Sequence, residues 1–538
     1  MKGKFTNEST YKGFLESGKE EEFDRLFDQA AEQARKAFGA EHPLYIGGAP
    51  VTTAEKIVER SPIDSAIVIG TFQKAGQPQI SSAIKAAQGA FLEWSQTDYK
   101  IRASIFRKAA GTLSQRKFEI AAILSYENGK TRYESIGEVD EGIDFMRYYA
   151  YEIENNRGFA RKKSLHGKST HTTGFQGAPS SEKVTVSLRP YGVFAVIAPF
   201  NFPISISIGM STGTLMTGNT VVFKPSSTDN PAMLSGLKIY QLFRDAGVPS
   251  GAFNYITSPG SAFGEEITRN QLIRGVAFTG SRAVGTELMR SSIASGQHAQ
   301  FIVEMSGKNP AIVCKSADLD AAANGIASAA FGYCGQKCSA LSRLYVHESI
   351  KEALTAKIIE KARGMKIGNP MSKEVYIGPL IGEKAKKRYM ESIAIARQTA
   401  RILYGGSEVR TGLKGCYVEP AIIEARHDNQ LVKSELFVPI LTIESFKTLD
   451  EAIRLANDTE FGLTAGFYSK KRSEVKEFIS KIEAGVVYTN REASATTGAM
   501  VGIHTFVGWK ASGLTGKGTG SRFYLPQFMR EQSVSEMA

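Results

Sequence analysis

Between about residue 191 and residue 490, short apolar runs alternate with helical stretches, and this rhythm narrows the fold more than any other feature of the chain. Val193-Phe194-Ala195-Val196-Ile197 and Thr220-Val221-Val222-Phe223 are apolar throughout, so each reads as a strand covered on both faces. Ala311-Ile312-Val313, Leu344-Tyr345-Val346, Leu441-Thr442-Ile443 and Gly485-Val486-Val487-Tyr488 read the same way. Strands alternating with helices imply βαβ units and a doubly wound parallel sheet, hence an α/β fold. At 538 residues the chain exceeds what one core supports, so a second α/β domain is expected from about residue 306 onward.

The flanking segments carry less. Within residues 1–41, Phe23, Leu26, Phe27, Ala30, Ala34 and Phe38 recur at helical spacing, which predicts one amphipathic helix lying on the body. Short strands and turns follow from Pro43. From Ser81 to about Asn155, Ala83, Ala87, Ala90, Phe91 and Trp94 form one helical core stripe, and Phe145, Tyr148 and Tyr149 another. The Gly-, Ser- and Thr-rich stretch 164–174 precedes an alternating strand, Val184–Leu188, and reads as a hairpin leaving the body. The tail Met529–Ser535 alternates weakly and leaves an open edge, which predicts pairing with another chain's sheet.

The net charge of +12 is spread along the chain without a basic tract, so it marks a basic soluble surface and not a nucleic-acid footprint. Four cysteines are too few for a disulfide framework. Neither Cys334 with Cys338 nor His166 with His171 has the companions a zinc site needs, so no metal is expected. The N-terminus lacks a signal-peptide core and no apolar run would span a bilayer, so a cytoplasmic protein is expected.

Three segments carry chemistry. Gly335-Gln336-Lys337-Cys338-Ser339 places a thiol on a loop beside a cation, where thiolate is favoured. Val303-Glu304-Met305-Ser306-Gly307 offers a carboxylate before a sharp turn, and Pro199-Phe200-Asn201-Phe202-Pro203 an amide held between prolines. A thiol, a carboxylate and a rigid amide donor are what acyl chemistry at a carbonyl requires. No G-x-G-x-x-G follows any strand. Instead Lys224, Ser226 and Ser227 directly follow a strand, where open α/β sheets bind ligands, and Gly280-Ser281 turns into a helix whose N-terminus suits phosphate.

Together these segments resemble the aldehyde dehydrogenase superfamily, from about His42 to the C-terminus. The resemblance implies Cys338 as nucleophile, Glu304 as the base that activates water, and Asn201 as the oxyanion donor. It implies Lys224 at the adenine ribose, Gly280 and Ser281 at the pyrophosphate, and Glu435 and Phe437 at the nicotinamide ribose. Val438 replaces a glycine common in the family. Many NAD-specific members carry Glu where Ser227 stands, so NAD use with NADP tolerated is expected. Glu304 favours hydrolysis over transfer to coenzyme A.

Within the superfamily, Thr497-Gly498-Ala499 and Ser339 resemble 1-pyrroline-5-carboxylate dehydrogenases, which oxidise L-glutamate γ-semialdehyde. Gly498, Ala499 and Ser339 would hold the substrate α-carboxylate, and Phe506 and Phe202 its chain. Thr505-Phe506-Val507-Gly508-Trp509 departs from the usual Pro-Phe-Gly-Gly-aromatic run. A semialdehyde dehydrogenase for another short acid, such as succinate semialdehyde, is the alternative. The expected organisation is a dinucleotide-binding domain (1–163 and 190–305) and a catalytic domain (306–495). Residues 164–189 and 496–538 would form an oligomerisation hairpin, a substrate-anchor loop and a C-terminal strand, giving a homo-oligomer.

Overall fold

A computed structural model describes residues 5–165, 182–227, 231–492 and 500–537. Two seven-stranded sheets organise it. The first runs in the order Gln300–Glu304, Ile273–Thr279, Val193–Ile197, Thr220–Lys224, Phe253–Tyr255, Leu44–Ile46, Ala49–Val51. Its first five strands are parallel, and the last two turn back antiparallel at one edge. The second runs Arg401–Tyr404, Ala421–Glu424, Ile440–Phe446, Leu341–His347, Asn309–Val313, Thr464–Tyr468, Val486–Thr489, and only its first pair is antiparallel.

Thr220–Lys224 is buried at every position, as a strand packed by helices on both faces must be. Helix Gln77–Gln96 packs on the first sheet, while Tyr99–Gln115 and Arg132–Asn155 pack on each other and on the helices Ser205–Met216 and Met233–Ala246, with Ala83, Ala87, Trp94, Phe145, Tyr148 and Tyr149 buried. The Trp94 indole N–H is satisfied by the Leu215 carbonyl at 3.1 Å. Phe91 and Ala90, expected in that stripe, are only half-buried.

Two expectations are corrected. The N-terminal segment forms two helices, Thr10–Glu16 and Glu20–Ala37, broken where Gly18 adopts φ +66°. The tail Met529–Met537 pairs antiparallel with Glu182–Pro190 of its own chain over nine residues, and Ala160–Leu165 lies on the other side of that strand. The strand Glu182–Pro190 satisfies one edge of the tail, and the tail forms the outer strand of this three-stranded sheet. His166, His171, Gly498 and Ala499 lie outside the described residues. No described helix is long and apolar enough to cross a membrane.

Candidate active site

The carboxyl end of the first sheet and the amino end of the second meet over one cavity of about 50 Å³, lined among others by Cys338, Glu304, Ser339, Phe202 and Phe506. The strand Gln300–Glu304 ends at Glu304, whose carbonyl accepts from the Gly280 N–H at 3.1 Å. Its carboxyl takes a hydrogen bond from the Gly508 backbone N–H, while Oε2 is buried without a partner among the described residues. Burial holds this carboxyl well above the usual carboxylate range. An orphaned acceptor in a small cavity is placed to bind water or a reacting group.

Cys338 follows a tight loop. Tyr333 and Cys334 adopt φ of +51° and +52°, and Gly335 adopts +66°. A Cβ on Gly335 would lie 2.6 Å from the Val438 carbonyl oxygen, so the loop closes against the Glu435–Pro439 segment only with glycine there. The N–H groups of Cys338 and Ser339 face the sulfur. The thiol is nonetheless pushed up to about 12, by burial first and then by Glu435 and Glu304. This corrects the expectation of a thiolate set up by Lys337, whose ammonium is influenced by Glu134 more than by Cys338. Cys334 is fully buried in the core of the second sheet and forms no disulfide.

Asn201 is buried, and its side-chain amide donates to the Gln336 carbonyl at 3.1 Å, which ties the turn after Val193–Ile197 to the Cys338 loop. Phe202 and Phe506 form cavity walls, and Ser339 is buried beside the sulfur. A wider cleft of about 1250 Å³ opens on the other side of Phe202 and contains Glu134, Glu141, Lys337 and Met500.

Of the nucleotide candidates, Lys224 lines a second cleft of about 880 Å³, together with Gly264, Thr268, Ala283, Val284 and Leu288. Lys224 is buried, its amine pushed down to about 8 by burial, and among the described residues it donates to the Pro225 carbonyl at 3.2 Å. Ser281 caps the helix Arg282–Ala294 by accepting from the Val284 N–H, the Arg282 N–H donates to the Ser306 hydroxyl at 3.2 Å, and Ala283 and Val284 bring that helix start to the cleft. A cation and a helix N-terminus across a cleft of this size fit a dinucleotide diphosphate. Ser226 is half-buried and accepts through its carbonyl from Ala232, and the Ser227 hydroxyl donates to the Pro225 carbonyl at 2.8 Å. Glu435 accepts from the Gly307 N–H at 2.9 Å, next to the Cys338 cavity, and Phe437, at φ +57°, packs edge-on to Phe200.

Several groups at the site were not singled out from the sequence. Thr279, Met210 and Thr519 line the cavity, and Glu141 lines both the cavity and the wide cleft. Their positions in helices and strands carry no motif, so only the fold brings them together. Lys130, Glu138 and Lys308 likewise emerge only from the packing.

The chain matches the aldehyde dehydrogenase family over residues 51–534. It is 34% identical to 1-pyrroline-5-carboxylate dehydrogenase 1 of Halalkalibacterium halodurans over 519 residues, covering 95% of this chain and 96% of that one. It is 34% identical to the 1-pyrroline-5-carboxylate dehydrogenase of Bacillus licheniformis, covering 96% and 97%. Among solved structures, 1-pyrroline-5-carboxylate dehydrogenase from Thermus with bound NAD superposes with a TM-score of 0.90 at 33% identity, covering 99% of both chains. With Cys338 and Glu304 lining one cavity and Asn201 bonded to the loop that carries the cysteine, this chain, which matches the family model over most of its length, belongs to the aldehyde dehydrogenase family.

Proposed function

We propose that this enzyme oxidises L-glutamate γ-semialdehyde to L-glutamate with NAD, Cys338 serving as nucleophile, Asn201 as oxyanion donor and Glu304 as the base for hydrolysis. The observation that carries the reading is that Cys338 and Glu304 line one small cavity, with Asn201 bonded to the loop bearing the cysteine. Relatives at 34% identity over nearly the full length of both chains are 1-pyrroline-5-carboxylate dehydrogenases, which supports the substrate.

Cys338 sulfur attacks the aldehyde carbon, and its proton leaves to solvent or to a base in the cavity. The oxygen of the resulting thiohemiacetal lies against the Asn201 amide and the Cys338 N–H, a type of contact worth about 3–4 kcal/mol per donor. Bound NAD supplies the hydride acceptor. Loss of hydride leaves a thioester on Cys338. Glu304 then takes a proton from water as the water oxygen attacks the thioester carbon, and the thiol departs with the acid released. Because its carboxyl is held above the usual range, Glu304 must lose its proton before this step, and the N–H of Gly508 favours that anion.

Lys224, Ser226 and Ser227 are assigned to the adenosine side of the cofactor, Gly280 and Ser281 to its diphosphate, and Glu435 and Phe437 to the nicotinamide ribose. Ser227 is neutral and turned toward Pro225, so it does not repel a 2′-phosphate. NADP is accordingly tolerated, and a kcat/KM ratio above about a thousand in favour of NAD, ~4 kcal/mol, would count against this. Gly498, Ala499 and Ser339 hold the substrate α-carboxylate, and Phe202 and Phe506 cover its chain. The division into a nucleotide unit (1–163 and 190–305) and a catalytic unit (306–495), with the three-stranded sheet mediating a homo-oligomer, belongs to the same reading.

A panel of aldehydes followed by nicotinamide absorbance tests the assignment. Highest kcat/KM for L-glutamate γ-semialdehyde is expected. Higher kcat/KM for succinate semialdehyde would overturn the substrate, and no turnover of any aldehyde would overturn the chemistry.

A further inference from the structure

A fully buried ion pair lies behind the active-site cavity. Lys130 and Glu138 are bonded side chain to side chain, at 1% and 0% exposure. Taking two charges out of water costs more than their attraction usually returns, so such a pair calls for a role beyond stability.

Its surroundings indicate one. Lys130 sits on the corner between the helices Lys117–Asn128 and Arg132–Asn155. Gly129, at φ +76°, ends the first helix, and Thr131 caps the second together with Glu134. The corner is therefore fixed on both sides. From it the Lys130 ammonium lies 3.4 Å from the centre of the Phe202 ring and 4.7 Å from that of Tyr333. Phe202 adjoins Asn201, and Tyr333 belongs to the loop that carries Cys338. The two rings also meet edge to face at 6.4 Å.

Glu138 grips the same turn from the other end. Its Oε1 accepts from the backbone N–H of Ile204 at 2.8 Å and of Ser205 at 3.2 Å, the start of the helix that follows Asn201. Tyr333 is anchored in turn, its hydroxyl donating to the Asn128 carbonyl at 3.1 Å. One cation thus touches a ring from each catalytic loop, and its counter-ion holds the backbone of one of them. Desolvated contacts of a cation with aromatic faces are strong enough to fix ring positions.

We propose that Lys130, neutralised by Glu138, is a positioning residue for the reaction, clamping the Asn201–Phe202 turn against the Cys338 loop so that the Asn201 amide points at the oxygen that becomes charged. The inference rests on the reading of Asn201 as oxyanion donor. Lys130 touches neither substrate nor cofactor in this scheme, and it acts through Phe202 and Tyr333. A misplacement of the donor of about 1 Å is enough to cost about 100-fold in rate.

The test is a double-mutant cycle on the full-length enzyme with NAD and L-glutamate γ-semialdehyde, using K130M, N201A and the two combined. K130M is expected to lower kcat about 100-fold, with the KM for aldehyde changed less than about threefold, since an interaction made only in the transition state is lost. The affinity for NAD, read by quenching of protein fluorescence, and the rate of Cys338 alkylation by iodoacetamide should stay within about twofold. In the N201A background, K130M should cost less than about threefold further, because the two residues act as a unit. A full additional 100-fold loss, or an equal loss of alkylation rate and NAD affinity, overturns the proposal and marks a general structural role. Full activity of N201A alone would instead sink the reading of Asn201. Should K130M fail to fold, E138Q, which keeps the shape of the side chain, runs through the same cycle with the same criteria.

Discussion

The Asn201 side-chain amide donates to the Gln336 carbonyl at 3.1 Å, across 135 residues of sequence, and so joins the turn that leaves one sheet to the Cys338 loop of the other. The amide has a second N–H, which is the one available to a developing oxyanion. Asn201→Ala is expected to lower kcat by about 10²–10³-fold. Steady-state kinetics with saturating NAD checks this, and a loss confined to KM would point to substrate binding instead.

Cys338 is a thiol and not a thiolate at neutral pH, because burial and the neighbouring Glu435 and Glu304 push it up to about 12. In the enzyme without cofactor, alkylation by iodoacetamide should therefore rise steadily with pH from 7 through 10. A free cysteine would reach half its maximal rate near pH ~8.5. A plateau at or below that pH would mean that a base or cation activates the sulfur before NAD binds.

Glu304 lines the cavity and its Oε2 has no partner among the described residues, which suits a water-activating base. Glu304→Gln keeps the volume and removes the basicity, so thiohemiacetal formation and hydride loss should persist while hydrolysis stalls. A stopped-flow burst of NADH approaching one equivalent per active site, followed by a steady state slowed at least about 100-fold, is the expected record. An abolished burst would assign Glu304 to the first half of the reaction.

How much of this was legible beforehand differs from element to element. The buried strands announced themselves, because a run such as Thr220–Lys224, covered on both faces, has no polar alternation to confuse it with a surface strand. Cys338, Glu304 and Asn201 were readable from local motifs. The partner of the tail was not, since an open edge looks the same whether its neighbour is in the same chain or another. Nor was the state of the thiol. Lys337 is adjacent in sequence, yet the fold leaves its ammonium under the influence of Glu134 while two carboxyls approach the sulfur. The pairing of Lys130 with Glu138 across a helix corner, under two rings from distant segments, has no signature in one dimension.

Arg343 is buried in the second sheet. Its guanidinium donates to the Lys308 carbonyl at 2.9 Å, the Leu455 carbonyl at 3.3 Å and the Ala456 carbonyl at 2.9 Å, linking the strand Leu341–His347 to the helix Leu449–Asn457. Arg343→Leu removes this donor from all three carbonyls, of which Leu455 keeps only the Tyr345 hydroxyl at 3.4 Å, and is expected to destabilise the enzyme by about 3–5 kcal/mol. Chemical denaturation followed by fluorescence should show the shift, and a midpoint equal to that of the parent would refute the role.

Asp144 fastens the N-terminal segment to the helix Arg132–Asn155, accepting from the Glu8 N–H at 2.8 Å and the Asn7 amide at 2.9 Å. Burial pushes its carboxyl up to about 7, with Asp140 adding to the rise and Arg147 opposing it. Glu8 faces the same region but is paired with Lys117 and Arg147, which hold it ionised. A carboxyl held above its unfolded value binds its proton more tightly in the folded protein, so its contribution is present below pH ~4 and is lost as pH rises through about 7. The loss is on the order of 2–4 kcal/mol, at about 1.4 kcal/mol for each pKa unit. Docking of residues 5–18 should therefore weaken between about pH 4 and about pH 7, visible as faster amide exchange in that segment beyond the intrinsic pH effect. Asp144→Asn, which cannot ionise, should flatten the dependence, and an unchanged pH profile in that variant would show that Asp144 is not its source.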